Sequence, residues 1–308
     1  MPDAALHCTG GPRFSLIIPT YNRPALLERA LAAALRQGPD LEILVVDDAS
    51  PNSAAADVCA KAPQVRYVRQ PANQGPGAAR QRGLELARGR WVLLVDDDDE
   101  LAPQALKTVA EAISDFPAAE NFPVLQFACH QRNLKIDFLT ASLDDYLQGV
   151  LQGDNTPVIH RQTFLAAGLT YPATRLGGEH ILWWSIAARW GIPTWNRKIV
   201  TVNADAPSRL TSFKHQVQHA SEHARIQEMS LEALSAIDAD LGAFRRKRRL
   251  GAATYWLLAG RRRSAWLHLK QLYTEGYRGP AAALFALSIV PAFVLKPLFM
   301  TFRRLTVG

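Results

Sequence analysis

The first hundred residues alternate between short apolar runs and segments with helical spacing. Apolar runs of strand length are Phe14–Pro19, Leu41–Val46, Val65–Arg69 and Trp91–Val95. Three segments with helical spacing lie between them: residues 25–37, a short segment that ends at Lys61, and residues 78–87. Glycine or proline follows the first and the last of these segments. Strand–helix units repeated about every 25 residues predict a mainly parallel, doubly wound sheet with helices on both faces.

Polar residues follow three of these predicted strands. They are Thr20–Asn22, Asp47–Asp48 and Asp96–Asp98. In sheets of this class, ligands bind beyond the carboxyl ends of the strands. We therefore expect these three polar segments, distant in sequence, to gather at one edge of the sheet.

The most acidic segment is Asp96–Asp99, followed directly by Glu100. Neighbouring carboxylates repel one another unless a cation offsets their charge. At the end of a buried strand the cation that fits oxygen ligands is a hard divalent metal, Mg²⁺ or Mn²⁺. The competing interpretation is a solvated acidic turn, with Asp99 or Glu100 capping the next helix.

Two further features offer groups for a nucleotide. Asp48 can accept a hydrogen bond from an imide or amide N–H, such as N3 of uracil, or can cap the following helix. The loop Asn73–Gly77 and Arg80 supply backbone N–H groups, a helix N-terminus and a guanidinium for an anion or a base. The glycine motifs of P-loop and dinucleotide-binding proteins do not occur near a strand end.

Across residues 14–101 a family resemblance appears. The segments LIIPTYNRP, EILVVDDAS and NQGPGAARQRGLELARGRWVLLVDDDDEL resemble, in order and spacing, the donor half of family 2 glycosyltransferases, which have the GT-A fold. The resemblance implies a nucleoside-diphosphate sugar donor, with a UDP-sugar favoured, held through Mg²⁺ or Mn²⁺. The residues it places at the nucleotide are Pro19, Thr20, Tyr21, Asp48, Asn73, Arg80, Asp96 and Asp97.

The resemblance also implies individual roles. Residues 19–21 would line the nucleoside pocket, and Asp48 would contact the base. Asp96-Asp97-Asp98 corresponds to the D-x-D signature, with Asp98 as the direct metal ligand, assisted by Asp96. In a later loop, relatives carry a His three residues before a Ser; here Asp205 precedes Ser208, so Asp205 is a further candidate ligand.

The acceptor half is best marked by LGGEHILWWSIAARWG at 176–191, which predicts a helix after two glycines. Family members carry Glu-Asp before such a helix, the Asp acting as catalytic base. Alignment on HILW places Glu179 at the base position, whereas alignment on Glu places His180 there. We prefer Glu179 because either carboxylate can deprotonate a hydroxyl, although simple stabilisation of the helix N-terminus also explains it. Trp183 and Trp184 cannot both face the core, and one of them is a candidate sugar platform.

Composition refines the picture. Of 35 Lys+Arg, 13 lie in residues 245–308 with only Glu275 as an acid, while residues 1–244 carry 22 basic and 27 acidic residues. An acidic body disfavours nucleic acid as a ligand. Three cysteines without a CxxC pair favour a reducing compartment, and the N-terminus has no secretory pattern, so we expect a cytoplasmic protein.

The basic tail needs its own explanation. From about Phe213 the pattern is helical, and Ala281–Leu295 contains no charge, but Pro291 and Lys296 interrupt it as a membrane span. Basic clusters beside apolar helices favour peripheral contact of 245–308 with anionic lipid on the inner face of the membrane. A helical bundle with a solvated basic face is the alternative.

The sequence thus predicts a GT-A catalytic domain at 1–212, with a donor half at 14–101 and an acceptor half at 102–212, and a basic helical extension at 213–308. The predicted activity is inverting, metal-dependent transfer of a sugar to a hydroxyl of a saccharide or lipid-linked acceptor, in polysaccharide synthesis. The competing functions are a sugar-phosphate nucleotidyltransferase and a non-catalytic, membrane-bound protein that binds sugar nucleotides.

Overall fold

A computed structural model describes residues 12–128, 136–151, 155–203, 212–235, 237 and 241–307, with side chains to Thr301. The strands are β1 (Phe14–Thr20), β2 (Leu41–Asp47), β3 (Val65–Arg69), β4 (Trp91–Leu94), β5 (Glu100–Leu101), β6 (Val124–Ala128), β7 (Phe138–Ala141), β8 (Asn155–His160), β9 (Ile192–Trp195) and β10 (Val200–Thr201). The helices are α1 (Pro24–Leu35), α2 (Ala54–Ala60), α3 (Pro76–Leu86), α4 (Ala105–Ser114), α5 (Leu143–Leu147), α6 (Arg161–Ala166), α7 (Glu179–Arg189), α8 (Phe213–Gln218), α9 (Ala220–Ser235), α10 (Gly242–Leu258), α11 (Arg262–Thr274), α12 (Arg278–Leu287) and α13 (Ala292–Val307).

The central sheet has the strand order β3-β2-β1-β4-β8-β6-β9-β7. Strands β3, β2, β1 and β4 are mutually parallel, and β8 enters antiparallel beside β4. Strands β5 and β10 form a separate antiparallel pair. The predicted mainly parallel, doubly wound α/β architecture is confirmed.

Helices cover both faces of the sheet because successive side chains of its buried strands point to opposite sides. On one face, Leu16 and Ile18 pack with apolar residues of α1, α2 and α4. On the other, Ile17 packs with residues of α3, α6 and α7. Strands β1, β2 and β4 are therefore mostly apolar and read as continuous runs in the sequence, whereas the half-buried β3 alternates.

Two compact units emerge among the described residues. The N-terminal unit comprises 12–173 and 182–203, and the C-terminal unit comprises 174–181 and 212–307. In the C-terminal unit, α10 packs against α9 and α11, and Ala224, Leu257 and Leu269 are buried between these helices. The functional division at 212/213 stays a prediction.

In the acceptor half the residue pattern predicts a strand over Phe122–Cys129 and a helix over Ser142–Gln152, and two boundaries differ in the structure. Cys129 lies outside the described residues. The helix predicted over Ser142–Gln152 ends at Leu147, where Gly149 takes a φ of +73° that leaves the helical region, and Gln152 lies outside the described residues. The strand predicted from Phe122 begins at Val124. In the part of the chain that the structure describes, each helix is too short or too polar to cross a membrane.

Candidate functional site

The carboxyl ends of β1, β2 and β4 lie side by side because these strands are neighbours in the sheet. Thr20, the last residue of β1, donates a hydrogen bond through Oγ1 to Asp97 Oδ2 at 2.7 Å. The backbone N–H of Asp48 donates to the carbonyl oxygen of Thr20 at 2.9 Å. The structure thus brings together Thr20, Asp48 and the acidic segment after β4, as the sequence predicted.

Asp97 anchors the acidic segment. Its side chain is buried, and this burial raises the pKa of Asp97 to about 6 even though Arg23 and Thr20 oppose the shift. Arg23 Nη1 lies 3.2 Å from Asp97 Oδ1 and 3.4 Å from Asp98 Oδ2. One guanidinium therefore offsets the charge of two neighbouring carboxylates.

Asp96 and Asp98 lie on either side of Asp97 on a turn whose backbone is fixed. Asp96 is paired with Arg80 of α3 at 2.5 Å, and its side chain is 47% exposed. The backbone of the turn is fixed because Arg29 Nη2 and Asn203 Nδ2 both donate to the carbonyl oxygen of Asp98, at 2.7 and 3.1 Å. Asp96 and Asp98 thus present carboxylates on a rigid turn.

The alternative interpretation of this segment as a helix cap is wrong. Helix α4 begins at Ala105 with Gln104 at its N-cap, and Glu100 instead opens β5. Asp99 Oδ1 accepts from the backbone N–H of Asn203 at 3.0 Å. Asp99 therefore ties the acidic turn to the segment after β10.

At the end of β2, two carboxylates are engaged inside the protein. Asp47 accepts from the Ser50 N–H and hydroxyl at 2.8 and 2.6 Å and from the Tyr67 hydroxyl at 2.5 Å. This contact and burial raise the pKa of Tyr67 to about 12. Asp47 is fully buried, so its role is structural.

Asp48 holds the loop that leads into α3. Its Oδ1 accepts from Gln70 Nε2 at 2.7 Å and the Gln74 N–H at 2.8 Å, and its Oδ2 accepts from the Gly75 N–H at 2.7 Å. Burial raises the pKa of Asp48, while these three donors lower it. Ser53, and not Asp48, occupies the N-cap position of the helix that follows, so the capping interpretation of Asp48 is wrong.

The loop Asn73–Gly77 has the conformation that its glycine allows. Gly75 adopts a φ of +92°, where a side chain would be strained, and Pro76 then opens α3. Asn73 is half-buried at the start of the loop, and Pro19 is buried in β1. Tyr21 is 44% exposed just beyond β1, where an aromatic ring is available to a ligand.

The donor set at the end of β4 fits a hard cation that is shared with a ligand. Mg²⁺ and Mn²⁺ sites commonly use one or two protein carboxylates and complete their shell with phosphate oxygens. Asp96 and Asp98 supply such carboxylates. Among the described residues, no group of three or more His, Cys, Asp or Glu side chains is arranged to hold a metal unaided. Asp205 lies outside the described residues.

Glu179 and His180 lie in the first turn of α7 and belong to the C-terminal unit. Gly177 and Gly178 before them have φ values of +97° and +101°, which a Glu at Gly178 would adopt only with strain. His180 Nε2 lies 3.0 Å from Ser230 Oγ, whose hydroxyl donates to the Ile226 carbonyl oxygen. Burial and Arg248 lower the pKa of His180 to about 4.

The two tryptophans of α7 differ in burial. Trp184 is buried, at 4% exposure, whereas Trp183 is half-buried and meets Tyr171 edge-on at 6.0 Å between ring centroids. Trp184 therefore has the core role. Trp183 stays the candidate for a sugar platform.

Sequence reasoning missed four side chains that organise this site: Arg23, Arg29, Gln70 and Asn203. Arg23 follows β1 in the TYNRP segment, and it meets Asp97 because β1 and β4 are adjacent. An arginine after one strand and aspartates after the neighbouring strand could therefore have predicted this ion pair from the sequence. The contacts of Gln70 and Asn203 depend on loop paths that the residue pattern does not show.

Residues 15–137 match the sequence model of glycosyl transferase family 2. The chain is 38% identical over 102 residues to the succinoglycan biosynthesis protein ExoO of Rhizobium meliloti, covering 32% of this chain and 29% of that protein. It is also 38% identical over 105 residues to the GalNAc(5)-diNAcBac-PP-undecaprenol beta-1,3-glucosyltransferase of Campylobacter jejuni, covering 32% and 34%. The chain thus spans about a third of the length of these curated relatives.

Solved structures with the same fold include S. aureus TarS 1-349 in complex with UDP-GlcNAc, with a TM-score of 0.59 at 18% identity over 79% of this chain and 71% of that one. The mannosyltransferase PcManGT from Pyrobaculum calidifontis, in complex with GDP-Man and Mn²⁺, has a TM-score of 0.53 at 20% identity over 96% and 84%. At these identities the likeness establishes the fold, which is GT-A.

Proposed function

Because this chain belongs to glycosyl transferase family 2 through residues 15–137, we propose that it transfers a sugar from a nucleoside-diphosphate sugar to an acceptor hydroxyl. A UDP-sugar is the favoured donor, and the acceptor is a saccharide or a lipid-linked glycan in polysaccharide synthesis. The names of relatives support this acceptor class, since one is a succinoglycan biosynthesis protein and another names a PP-undecaprenol substrate.

The observation that carries the proposal is the rigid acidic turn beside β1 and β2. Buried Asp97 and the donors to the Asp98 carbonyl oxygen fix the turn, while Asp96 stays half-exposed. Pro19, Thr20, Tyr21, Asp48 and Asn73 occupy the neighbouring strand ends and loop. This arrangement suits a nucleoside between the strand ends and a diphosphate near the carboxylates.

We propose that Asp98, assisted by Asp96, holds Mg²⁺ or Mn²⁺ on the donor diphosphate. The cation would offset the charge that develops on the diphosphate as the bond to the sugar breaks. Arg23 and Arg80 already place positive charge at this turn, so both guanidinium groups can also contact phosphate oxygens. Asp205 is a further candidate ligand.

Glu179 is the proposed general base. It would take the proton of the acceptor hydroxyl, whose oxygen attacks the anomeric carbon while the bond to the diphosphate oxygen breaks, with inversion. His180 is the weaker candidate because it accepts a proton only near pH 4 and its Nε2 faces Ser230.

The first experiment is a binding and turnover screen. A panel of UDP-, GDP- and TDP-sugars is titrated by calorimetry with Mn²⁺ and again with EDTA. We expect one donor class to bind with Mn²⁺ and to lose at least about tenfold in affinity with EDTA. Absence of binding by every nucleotide sugar in both conditions would contradict the proposal.

A companion assay that supplies a nucleoside triphosphate and a sugar 1-phosphate separates the competing functions. A glycosyltransferase releases nucleoside diphosphate from the nucleotide sugar when acceptor is present, whereas a sugar-phosphate nucleotidyltransferase releases pyrophosphate from the triphosphate as it joins the nucleotide to the sugar phosphate. A non-catalytic protein binds the donor and releases neither. Release of pyrophosphate, or binding without turnover on any hydroxyl acceptor, would each replace the proposed function.

The base is tested with Glu179→Gln against Glu232→Gln, a matched change on an exposed turn of α9. Loss of general-base catalysis costs on the order of a hundredfold or more in rate. We expect that loss for Glu179→Gln with unchanged donor affinity, and no loss for Glu232→Gln. Equal rates in both variants would exclude Glu179 as the base.

A further inference from the structure

Helix α12 has no polar face along most of its length. Ala281, Leu284 and Ser288, which recur at helical spacing, are the positions turned towards the C-terminal unit. The opposite side carries only apolar residues after Pro280, and Phe285 is 54% exposed there. A helix that is apolar all round is normally covered on all sides, but none of the described side chains covers this face.

The exposed apolar surface continues past the end of α12. Trp266 of α11 lies 5.8 Å from Phe285 between ring centroids and donates through Nε1 to Ser288 Oγ at 3.0 Å. Ile289 and Phe293 then project on either side of Pro291, each 76% exposed. We term the contacting pair Trp266 and Phe285, together with the exposed Ile289 and Phe293 that follow in the chain, the apolar ridge.

Arginines border the apolar ridge directly. Arg262 Nη2 donates to the Ile289 carbonyl oxygen at 3.1 Å. A surface pocket of about 580 Å³ lies between Arg261–Ser264 on one side and Pro291–Ala292 on the other. Arg261 and Arg263 are exposed at its rim, so positive charge adjoins the most exposed apolar side chains.

Charge identifies the partner. Residues 245–308 contain 13 Lys+Arg and one acid, Glu275, which is itself paired with Arg249 at 3.2 Å. A second copy of this chain that met the ridge with its own ridge would bring the same positive charge and be repelled. An anionic bilayer offers both complements, since acyl chains accept the apolar residues and lipid phosphates accept the arginines.

We infer that the apolar ridge and the arginines beside it form a docking surface for anionic lipid. Ile289 and Phe293 enter the boundary between headgroups and acyl chains, while Arg261 and Arg263 contact headgroup phosphates. Lipid binding by this surface requires no property of the donor site, so it is independent of the proposed transfer activity.

The test is co-sedimentation of the full chain with phosphatidylcholine vesicles that contain or lack phosphatidylglycerol, without nucleotide or metal. We expect binding to the phosphatidylglycerol vesicles that weakens with salt, and at least tenfold weaker binding to phosphatidylcholine alone. Folding of each protein is checked by circular dichroism. Folded protein that stays in the supernatant of phosphatidylglycerol vesicles at low salt would overturn the inference.

Two pairs of variants locate the surface. Ile289→Asp with Phe293→Asp should weaken vesicle binding at least tenfold, whereas Ile136→Asp, an isoleucine 53% exposed in the N-terminal unit, should not. Arg261→Gln with Arg263→Gln should weaken it severalfold, whereas exposed Arg36→Gln should not. Equal binding by test and control variants would overturn the assignment.

Light scattering provides the remaining outcome. A dimer in solution that Phe293→Asp dissociates, together with no vesicle binding by the parent chain, would show that the ridge covers a second copy. That result would also overturn the inference. A monomer that binds phosphatidylglycerol vesicles supports it.

Discussion

Carboxylates follow both β2 and β4, but the protein stabilises them differently. Asp47 and Asp48 chiefly accept hydrogen bonds from hydroxyl, carboxamide and backbone N–H groups, with the Arg69 guanidinium farther away, at 3.5 Å from Asp47 Oδ2. Asp96–Asp98 instead meet the guanidinium groups of Arg23 and Arg80. Neutral donors built into the fold hold a carboxylate in one place, whereas a side-chain cation can leave and be replaced by another cation.

The difference assigns separate tasks to two similar-looking motifs. The pair after β2 shapes the protein, because its oxygens are occupied by Ser50, Tyr67, Gln70 and the loop before α3. The segment after β4 keeps carboxylates whose counter-charges are exchangeable. Substitutions at the two strand ends should therefore affect different properties.

The largest expected effect is that of Asp98→Asn. Stabilisation of a leaving diphosphate by a metal is worth several kcal/mol, so transfer should fall about a hundredfold or more. Steady-state release of nucleoside diphosphate and a Mn²⁺ titration followed by electron paramagnetic resonance measure the two consequences. Exposed Asp115→Asn is the matched control. Unchanged Mn²⁺ affinity in Asp98→Asn would contradict metal binding by Asp98 and thus the proposed difference between the ends of β2 and β4.

Next in size is Asp48→Ala, which should act on stability. Three donors lose their acceptor, and unpaired groups of this kind cost about 1–3 kcal/mol each before relaxation, so we expect about 3 kcal/mol less free energy of unfolding. Urea denaturation measures it. Exposed Asp40→Ala should stay within about 0.5 kcal/mol of the parent. A free energy of unfolding equal to that of the parent would contradict a structural role for Asp48 at the end of β2.

Arg23→Gln should show that the counter-charge at β4 is exchangeable. Loss of the partly buried ion pairs with Asp97 and Asp98 should lower the free energy of unfolding by about 2 kcal/mol in EDTA. Mn²⁺ should then raise the Tm of Arg23→Gln more than that of the parent or of Arg82→Gln, because the added cation replaces the lost one. Equal Mn²⁺ shifts in all three proteins would contradict this.

The smallest effect is expected at Tyr67. Tyr67→Phe removes one hydrogen bond to Asp47 and should cost about 1 kcal/mol. Because the pKa of Tyr67 is raised to about 12, its contribution is complete below pH 10 and is lost as pH rises from 10 towards 12. Difference absorbance of phenolate between parent and variant follows this titration. Ionisation of Tyr67 near pH 10 would place its hydroxyl in water instead.

The strands of the donor half could be predicted from the sequence because each is marked by the residues within it. The bounds of β3 match the prediction, and β1, β2 and β4 differ from it by one residue each. Strands buried on both faces carry continuous apolar runs, which is the clearest local signal for them. The gathering of polar strand ends also followed from the class of sheet.

What could not be read depends on contacts across the fold. Asp48 binds N–H groups 26 and 27 residues away, and Asn203 reaches the acidic turn from more than 100 residues along the chain. No local pattern encodes which donor meets which acceptor there. The exposed face of α12 was hidden for a similar reason, since an apolar run looks the same whether it is covered or not.

Helix α3 connects the two strand ends compared above. Its leading loop is bound by Asp48, and Arg80, one turn into the helix, is bound by Asp96. This 11-residue helix is thus held by contacts with both strand ends. If a ligand at one strand end displaced α3, it would change the affinity at the other strand end, and thermodynamic reciprocity would make the two effects equal in factor.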